Sequence, residues 1–245
     1  MKPGDSQEVD YLMMTLDGVN KIRIYGGPSS VIDTIRQTTK THWQKGLKEE
    51  VDETRAWCYK LNGTPWKTVG KYCVYSRKLL NNIFGALSSD GWVISATIDL
   101  TRNPSDKSIF IFRSSTAANR NHCCISLNSK NKMRLIDVKL ELAHVIRETI
   151  NGWWPYGIQK MSDFFGSLEI DLYGMPWIGS PGSCDLIVRV FMCIVLSKLA
   201  ESHFNVVASC YVSSSSQNDH HRISTRVDVD SWFLASDETH SSENG

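Results

Sequence analysis

The chain is predicted to be α+β, a tandem duplication of one two-layer β-β-α-β-α-β-β unit, with the copies related by a pseudo-two-fold. Three observations predict this. Nearly the same four residues occur twice, Gly63-Thr64-Pro65-Trp66 and Gly174-Met175-Pro176-Trp177, at an offset of 111. The same offset aligns residues 12–84 with 123–195 without a gap, with 16 of 73 positions identical. Ordinary composition matches roughly 6% by chance. Each element read from one copy also makes sense in the other.

The identities fall in groups. Asn20, Lys21 and Arg23 meet Asn131, Lys132 and Arg134; Ile35, Arg36 and Thr38 meet Ile146, Arg147 and Thr149; Trp43 and Gly46 meet Trp154 and Gly157. Past Phe84 the register slips by one, so that Trp92 meets Phe204, and "SSSSQNDHHR" (213–222) is an insertion in the second copy. A period of this size is too long for a solenoid repeat and is the length of a small domain. The units are set at 11–113 and 122–236, joined by a polar linker at 114–121. Residues 1–10 and 237–245 read as disordered tails.

In each unit the first two strands are "YLMMTL" then "NKIRIY", and "HCCISL" then "NKMRLI", joined by turn formers such as Asp17-Gly18 and Asn128-Ser129. A helix follows, with Val31, Ile32 and Ile35 and then Leu142, Val145 and Ile146 at helical spacing. Ser29 or Ser30 is the expected cap of the first copy. A strand with period-2 alternation comes next: Trp57, Tyr59 and Leu61, then Leu168, Ile170 and Leu172. It ends at Gly-x-Pro-Trp, since Pro cannot donate to a ladder. A second helix spans about 72–88 and 183–199, and two strands close the unit. Alternating strands imply one wet sheet face, so both helices pack on the other. The second helix of the second copy is apolar nearly all round, whereas that of the first carries Ser76, Arg77, Lys78, Asn81 and Asn82. The second copy's helix is therefore expected to be the more buried, at a joint between units.

Composition excludes more than it selects. Hydrophobic residues are 41%, charged residues 22% and the net charge is +1, which leaves a sizeable core and no global case for duplex nucleic acid or an anionic membrane. The basic excess lies in residues 1–115, with 16 basic and 12 acidic residues against 11 and 14 in the remainder. The seven cysteines are odd in number and form no C-x-x-C pair, so they read as buried reduced thiols of a cytoplasmic or nuclear protein. The most apolar run, residues 186–200, is broken by Arg189 and Lys198 and is too short for a membrane span.

No catalytic signature emerges. In "GTPWKTVGK" six residues separate Gly63 from Gly70 where a phosphate-binding loop has four. A Gly-rich turn before a helix still offers backbone N–H groups to an anion. No histidine pair has chelating spacing, and His220-His221 lie in the inserted loop. Cys73 and Cys184 recur near a helix N-terminus, where a thiol can be activated, but recurrence in both copies favours packing. Asp99, Asp106, Asp228 and Asp230 are assigned to turns and edges. No cofactor or metal is expected.

The polar set retained in both copies is Lys21, Arg23, Lys132 and Arg134, expected on the outer sheet faces as two basic patches for phosphate or carboxylate groups. Trp66 and Trp177 are read as packing beneath the helix that follows, with use in binding as the alternative.

Strand-Gly-x-Pro-Trp-helix, Gly91-Trp92, the closing Asp230-Ser231-Trp232-Phe233, "NKMRLI" and "WWPYGIQ" together resemble a group of uncharacterised eukaryotic proteins, fungal and invertebrate ones among them. The resemblance covers most of both units and implies no activity. The first copy departs from it, with "THWQKGLK" and Ile109 in place of "WWPYGIQ" and Trp232. In outline, tandem α+β repeats are also similar to the saddle of the TATA-binding protein, a fold-level analogy only.

The leading expectation is a non-enzymatic binding or adaptor protein that offers sheet faces, or the cleft between units, to a protein or anionic partner. The alternatives are an enzyme sited at the joint, built from residues such as Cys73, His144 or Asp99, and single-stranded RNA binding through Lys21, Arg23 and exposed aromatics. Function is to be sought where the copies disagree.

Overall fold

A computed structural model describes residues 10–67, 70–100, 109–178, 183–212 and 228–237. The 213–222 insertion, Asp106, and the tails except Asp10 and Asp237 lie outside these residues, as do the side chains of Cys184 and Asp228.

The first unit runs β1 (Tyr11–Asp17), β2 (Lys21–Tyr25), α1 (Ser29–His42), β3 (Leu47–Glu53), β4 (Ala56–Leu61), α2 (Tyr72–Ser89), β5 (Trp92–Ile98) and β6 (Ile109–Ser114). The second runs β7 (His122–Asn128), β8 (Lys132–Ile136), α3 (Leu140–Trp153), β9 (Ile158–Asp163), β10 (Leu168–Leu172), α4 (Ser183–Glu201), β11 (Phe204–Cys210) and β12 (Asp228–Ser236). Each unit is an antiparallel six-stranded sheet with the same strand order, β3-β4-β2-β1-β6-β5 and β9-β10-β8-β7-β12-β11. The closing strands β6 and β12 are interior strands, each between the first strand of its unit and the one before it. The α+β duplication is as the sequence predicts.

Each unit holds one strand more than the predicted order. β3 and β9 are edge strands, and β3 is exposed at every residue from Lys48 to Asp52. An edge strand that buries neither face carries no period-2 signal, and its charges discourage further pairing. The cap of α1 also differs. Pro28 is the N-cap residue, without a side-chain bond, and its carbonyl accepts from Val31 N–H at 3.1 Å.

The recurrent residues fasten the same backbone points in both units. Asn20 Nδ2 donates to Leu61 O and Asn131 Nδ2 to Leu172 O, each at 2.7 Å. Trp66 Nε1 donates to Lys21 O and Trp177 Nε1 to Lys132 O, each at 3.0 Å. Gly63 and Gly174 hold φ at +82° and +86°, a left-handed turn that lets each indole fold back over its strand pair.

The units do not face each other across a two-fold. One core joins the helix-facing side of the first sheet (Leu12, Met14, Ile22, Ile24) and α1 and α2 to the far side of the second sheet (Cys124, Ile136, Cys210, Phe233). A separate core lies between the near side of the second sheet (Cys123, Ile125, Met133, Leu135) and α3 and α4. The layers therefore run sheet, helices, sheet, helices, with unlike surfaces meeting at the joint.

This order reverses the expected burial of the second helices. α2 is wedged between sheets and buries Ser76, Arg77, Asn81 and Ser88. α4 lies in the outermost layer and leaves Leu186, Val190 and Leu196 exposed. The polar groups of α2 are tolerated because they find partners. Arg77 donates from Nε to Ser231 Oγ at 2.8 Å and from a terminal nitrogen to Cys73 O at 2.6 Å, and Asn81 Nδ2 donates to Asp137 at 2.9 Å. Among the described residues, no helix is long and apolar enough to cross a membrane.

Candidate functional site

The retained basic set is neutralised within its own sheets. Arg23 donates to Asp17 at 2.6 Å and to Glu53 at 2.9 Å, on the open face of the first sheet. Lys132 lies 2.5 Å from Glu169 and 3.0 Å from Asp171. Arg134 is buried, 2.6 Å from Glu169, with Asn128 at 2.9 Å and the Phe164 ring stacked 3.9 Å from its guanidinium carbon. Burial pushes the Glu169 carboxyl up, but hydrogen bonds from Lys132 and Arg134 bring it below its ordinary range. The expected second basic patch is thus a compensated ion network, buried at Arg134 and Glu169 and partly open at Lys132. Lys21 pairs across the strands with Asp17 and Lys60 on the open face of the first sheet. Trp66 is wholly buried and Trp177 packs against the second core, as the packing reading expects.

The residues considered for catalysis do not converge. Cys73 is buried in α2, His144 is exposed on α3 beside Arg147, and Asp99 is exposed after β5. Among the described residues, no three His, Cys, Asp or Glu side chains gather as a metal site.

The joint between units does form a pocket, of about 310 Å³, lined by His42, Trp43, Gln44, Lys45, Lys71, Tyr72, Tyr75, Lys78 and Phe165. Its walls have three sources. The chain leaving α1 turns through Trp43–Gly46, where Gly46 N–H donates to Trp43 O at 2.8 Å, and presents Lys45. Residues 71, 75 and 78 share one face of α2 by their helical spacing. Phe165 caps the β9–β10 hairpin of the second unit, edge-on to Phe164 with ring centroids 4.9 Å apart. Lys78 ties that hairpin to α2, donating to Gly166 O at 3.1 Å and pairing with Asp137 at 3.5 Å.

Three ammonium groups and four aromatic rings line the pocket, and no carboxylate does. Lys45 Nζ lies 5.3 Å from the Tyr72 ring centroid and Lys71 Nζ 5.9 Å from that of Tyr75. Neither lysine has a carboxylate partner among the described residues. Trp43 and Tyr72 lie 6.0 Å apart with ring planes inclined by 35°. Lys45 lies over Gly63, where a Cβ would meet its Cδ at 3.0 Å. The Gly-x-Pro-Trp turn therefore lies directly behind the Lys45 side chain. Ammonium groups on flexible stems suit phosphate, sulfate or carboxylate, and inclined rings suit a planar or apolar body.

Sequence comparison of the copies carries the signal for this site. At the offset of 111, His42, Gln44, Lys45, Lys71, Tyr72 and Tyr75 meet Trp153, Pro155, Tyr156, Gly182, Ser183 and Leu186, Lys78 meets another basic residue, Arg189, and only Trp43 meets an identical residue. The remaining lining residue, Phe165, stands where the first unit has Thr54.

Two further cavities follow the joint. A polar groove of about 480 Å³ includes His42, Asn81, Asn82, Asn119 and Asp137. A smaller cavity of about 180 Å³ includes Trp92, Arg113, Arg120 and His122. Burial, and then the Arg120 charge, pushes the His122 imidazole down to about 4, and neither ring nitrogen has a hydrogen-bond partner.

One family model, described only as a domain, matches the chain twice, over residues 10–113 and 121–235. The matches coincide with the two units and cover most of the chain. This agrees with the resemblance read from the sequence to a family without an attached activity. No curated protein and no solved structure matches the chain.

Proposed function

The chain belongs to the family of that twice-matched domain, and from that premise we propose that it is a non-enzymatic binding protein that takes an anionic ligand in the pocket between its two units. The observation that carries this reading is the pocket's lining: three lysines, no carboxylate, and residues most of which the two copies do not share, Lys45 and Lys71 among them. Where a duplicated domain departs from its own pattern, fold no longer explains the residues. The gathering of those departures on one cavity supports a ligand there. The cavity volume fits a phosphorylated or carboxylated group on a small molecule, or a single anionic side chain of a partner protein.

The test is a titration at low ionic strength. The probes are inorganic phosphate, an aryl phosphate, and the same ring without phosphate, followed by calorimetry and by the fluorescence of Trp43. The aryl phosphate is expected to bind, more weakly as salt rises, and the neutral ring is not. Lys45→Glu with Lys71→Glu is expected to weaken binding by at least roughly tenfold, which is about 1.4 kcal/mol. Failure of both anionic probes to bind, or binding that survives both substitutions, overturns the proposal.

A further inference from the structure

The joint within the chain joins unlike surfaces: α2 of one unit against the far side of the next unit's sheet. Among the described residues, such a joint leaves one surface of each kind unused at the two ends of the stack.

The unused sheet surface is the open face of the first sheet. Tyr11, Met13 and Tyr25 are exposed there, Tyr11 at 57%. Strand pairing sets Met13 opposite both Tyr25 and Ile111 on that face. In the second sheet the positions of Met13 and Tyr25 are Cys124 and Ile136, fully buried on the side that α2 covers. The unused helical surface is the outer side of α4, where Leu186 is 66% exposed and Val190 51%. The positions by which α2 reaches the second unit, Lys78 and Asn81, correspond on α4 to the exposed Arg189 and to Met192, partly buried against the second core, and Leu196 one turn further is 39% exposed. A run of large apolar side chains on the outside of a soluble chain marks a contact surface.

We propose that the chain stacks head to tail on further copies of itself, the outer side of α4 of one copy seating on the open face of the first sheet of the next. The contact repeats the sheet-on-helix order already present within the chain. It is independent of the ligand pocket. Because its two surfaces differ, it propagates as an open series instead of closing as a dimer.

The experiment is sedimentation velocity of the full chain across a wide concentration range, in reducing buffer because Cys193 is exposed near α4's outer side. The mean mass is expected to rise with concentration past that of a dimer. Leu186→Glu with Val190→Glu, and separately Met13→Glu with Tyr25→Glu, should each weaken association roughly tenfold or more. An equimolar mixture of the two variants, each retaining one good surface, should form a dimer and nothing larger. A wild-type chain that stays monomeric throughout overturns the proposal. So does a closed dimer, or a mixture of variants that does not complement.

Discussion

Arg23 and Arg134 are the same residue of the same strand in two copies of one unit, yet they live in different solvents. Arg23 lies on an open sheet face and shares its charge between Asp17 and Glu53. Arg134 lies on the equivalent face of the second sheet, buried under the Phe164 ring, with Glu169 as a buried partner that Lys132 also holds. The motif is constant, and the layer that happens to cover it decides whether it is surface decoration or an obligatory internal pair.

That contrast can be broken most directly at the carboxylates. Glu169→Ala leaves the buried Arg134 without its partner, and is expected to cost about 3–5 kcal/mol in urea denaturation. Glu53→Ala, which removes a carboxylate partner of Arg23 on the open face, should be indistinguishable from an ordinary surface substitution. Equal effects would show that the two faces are not differently covered.

The indoles come next. Trp66→Ala empties a wholly buried site and is expected to cost about 3–5 kcal/mol, with Trp177→Ala losing less because Trp177 is only partly buried. The same denaturation curves measure it, and the reverse ranking would count against the assignment of cores.

His122 sharpens the comparison through pH, since its counterpart at the offset of 111 is the exposed Tyr11. Its pKa falls from 6.5 to about 4 in the folded chain. Between those values the unfolded chain binds more protons, so stability is complete above pH 6.5 and is lost as pH falls towards 4. The loss amounts to about 3 kcal/mol at most, at about 1.4 kcal/mol per unit. His122→Asn is expected to flatten that part of the stability profile, and an unchanged profile would remove His122 as its source.

The smallest expected effect concerns the pocket wall that the second unit supplies. Phe165→Ala should weaken aryl phosphate binding severalfold while leaving the denaturation midpoint nearly unchanged, because Phe165 is half-exposed. An effect on stability alone would mark it as packing.

Much of this architecture was legible in the sequence, because a duplicated chain supplies its own control. The hairpins, both helices of each unit and the Gly-x-Pro-Trp turns appear twice, and each serves the same backbone carbonyls twice. β3 and β9 escaped notice because they bury nothing that alternates. The burial of α2 and the exposure of α4 invert the sequence expectation because hydrophobicity is not a guide to depth where polar groups find partners. Arg77 lies deep because Ser231 and the Cys73 carbonyl wait for it, and no local pattern announces a partner 154 positions away. The relation between units was likewise invisible, since it depends on which face of a sheet a helix covers. The pocket was partly legible. Lys45 against Tyr156, Lys71 against Gly182, and Phe164-Phe165 against Glu53-Thr54 are departures between the copies that point to it.

The interior position of β12 has a consequence during synthesis on the ribosome. The strand lies between β7 and β11, so the second sheet remains in two pieces until residue 236 has been made. β11 then has no neighbour from its own sheet, and the near side of that sheet has only part of its cover to offer α4. The first unit faces the same delay only until residue 114. The nascent chain thus passes through a stage in which one unit is complete and the other still exposes apolar segments, and it is there that chaperones would be needed most.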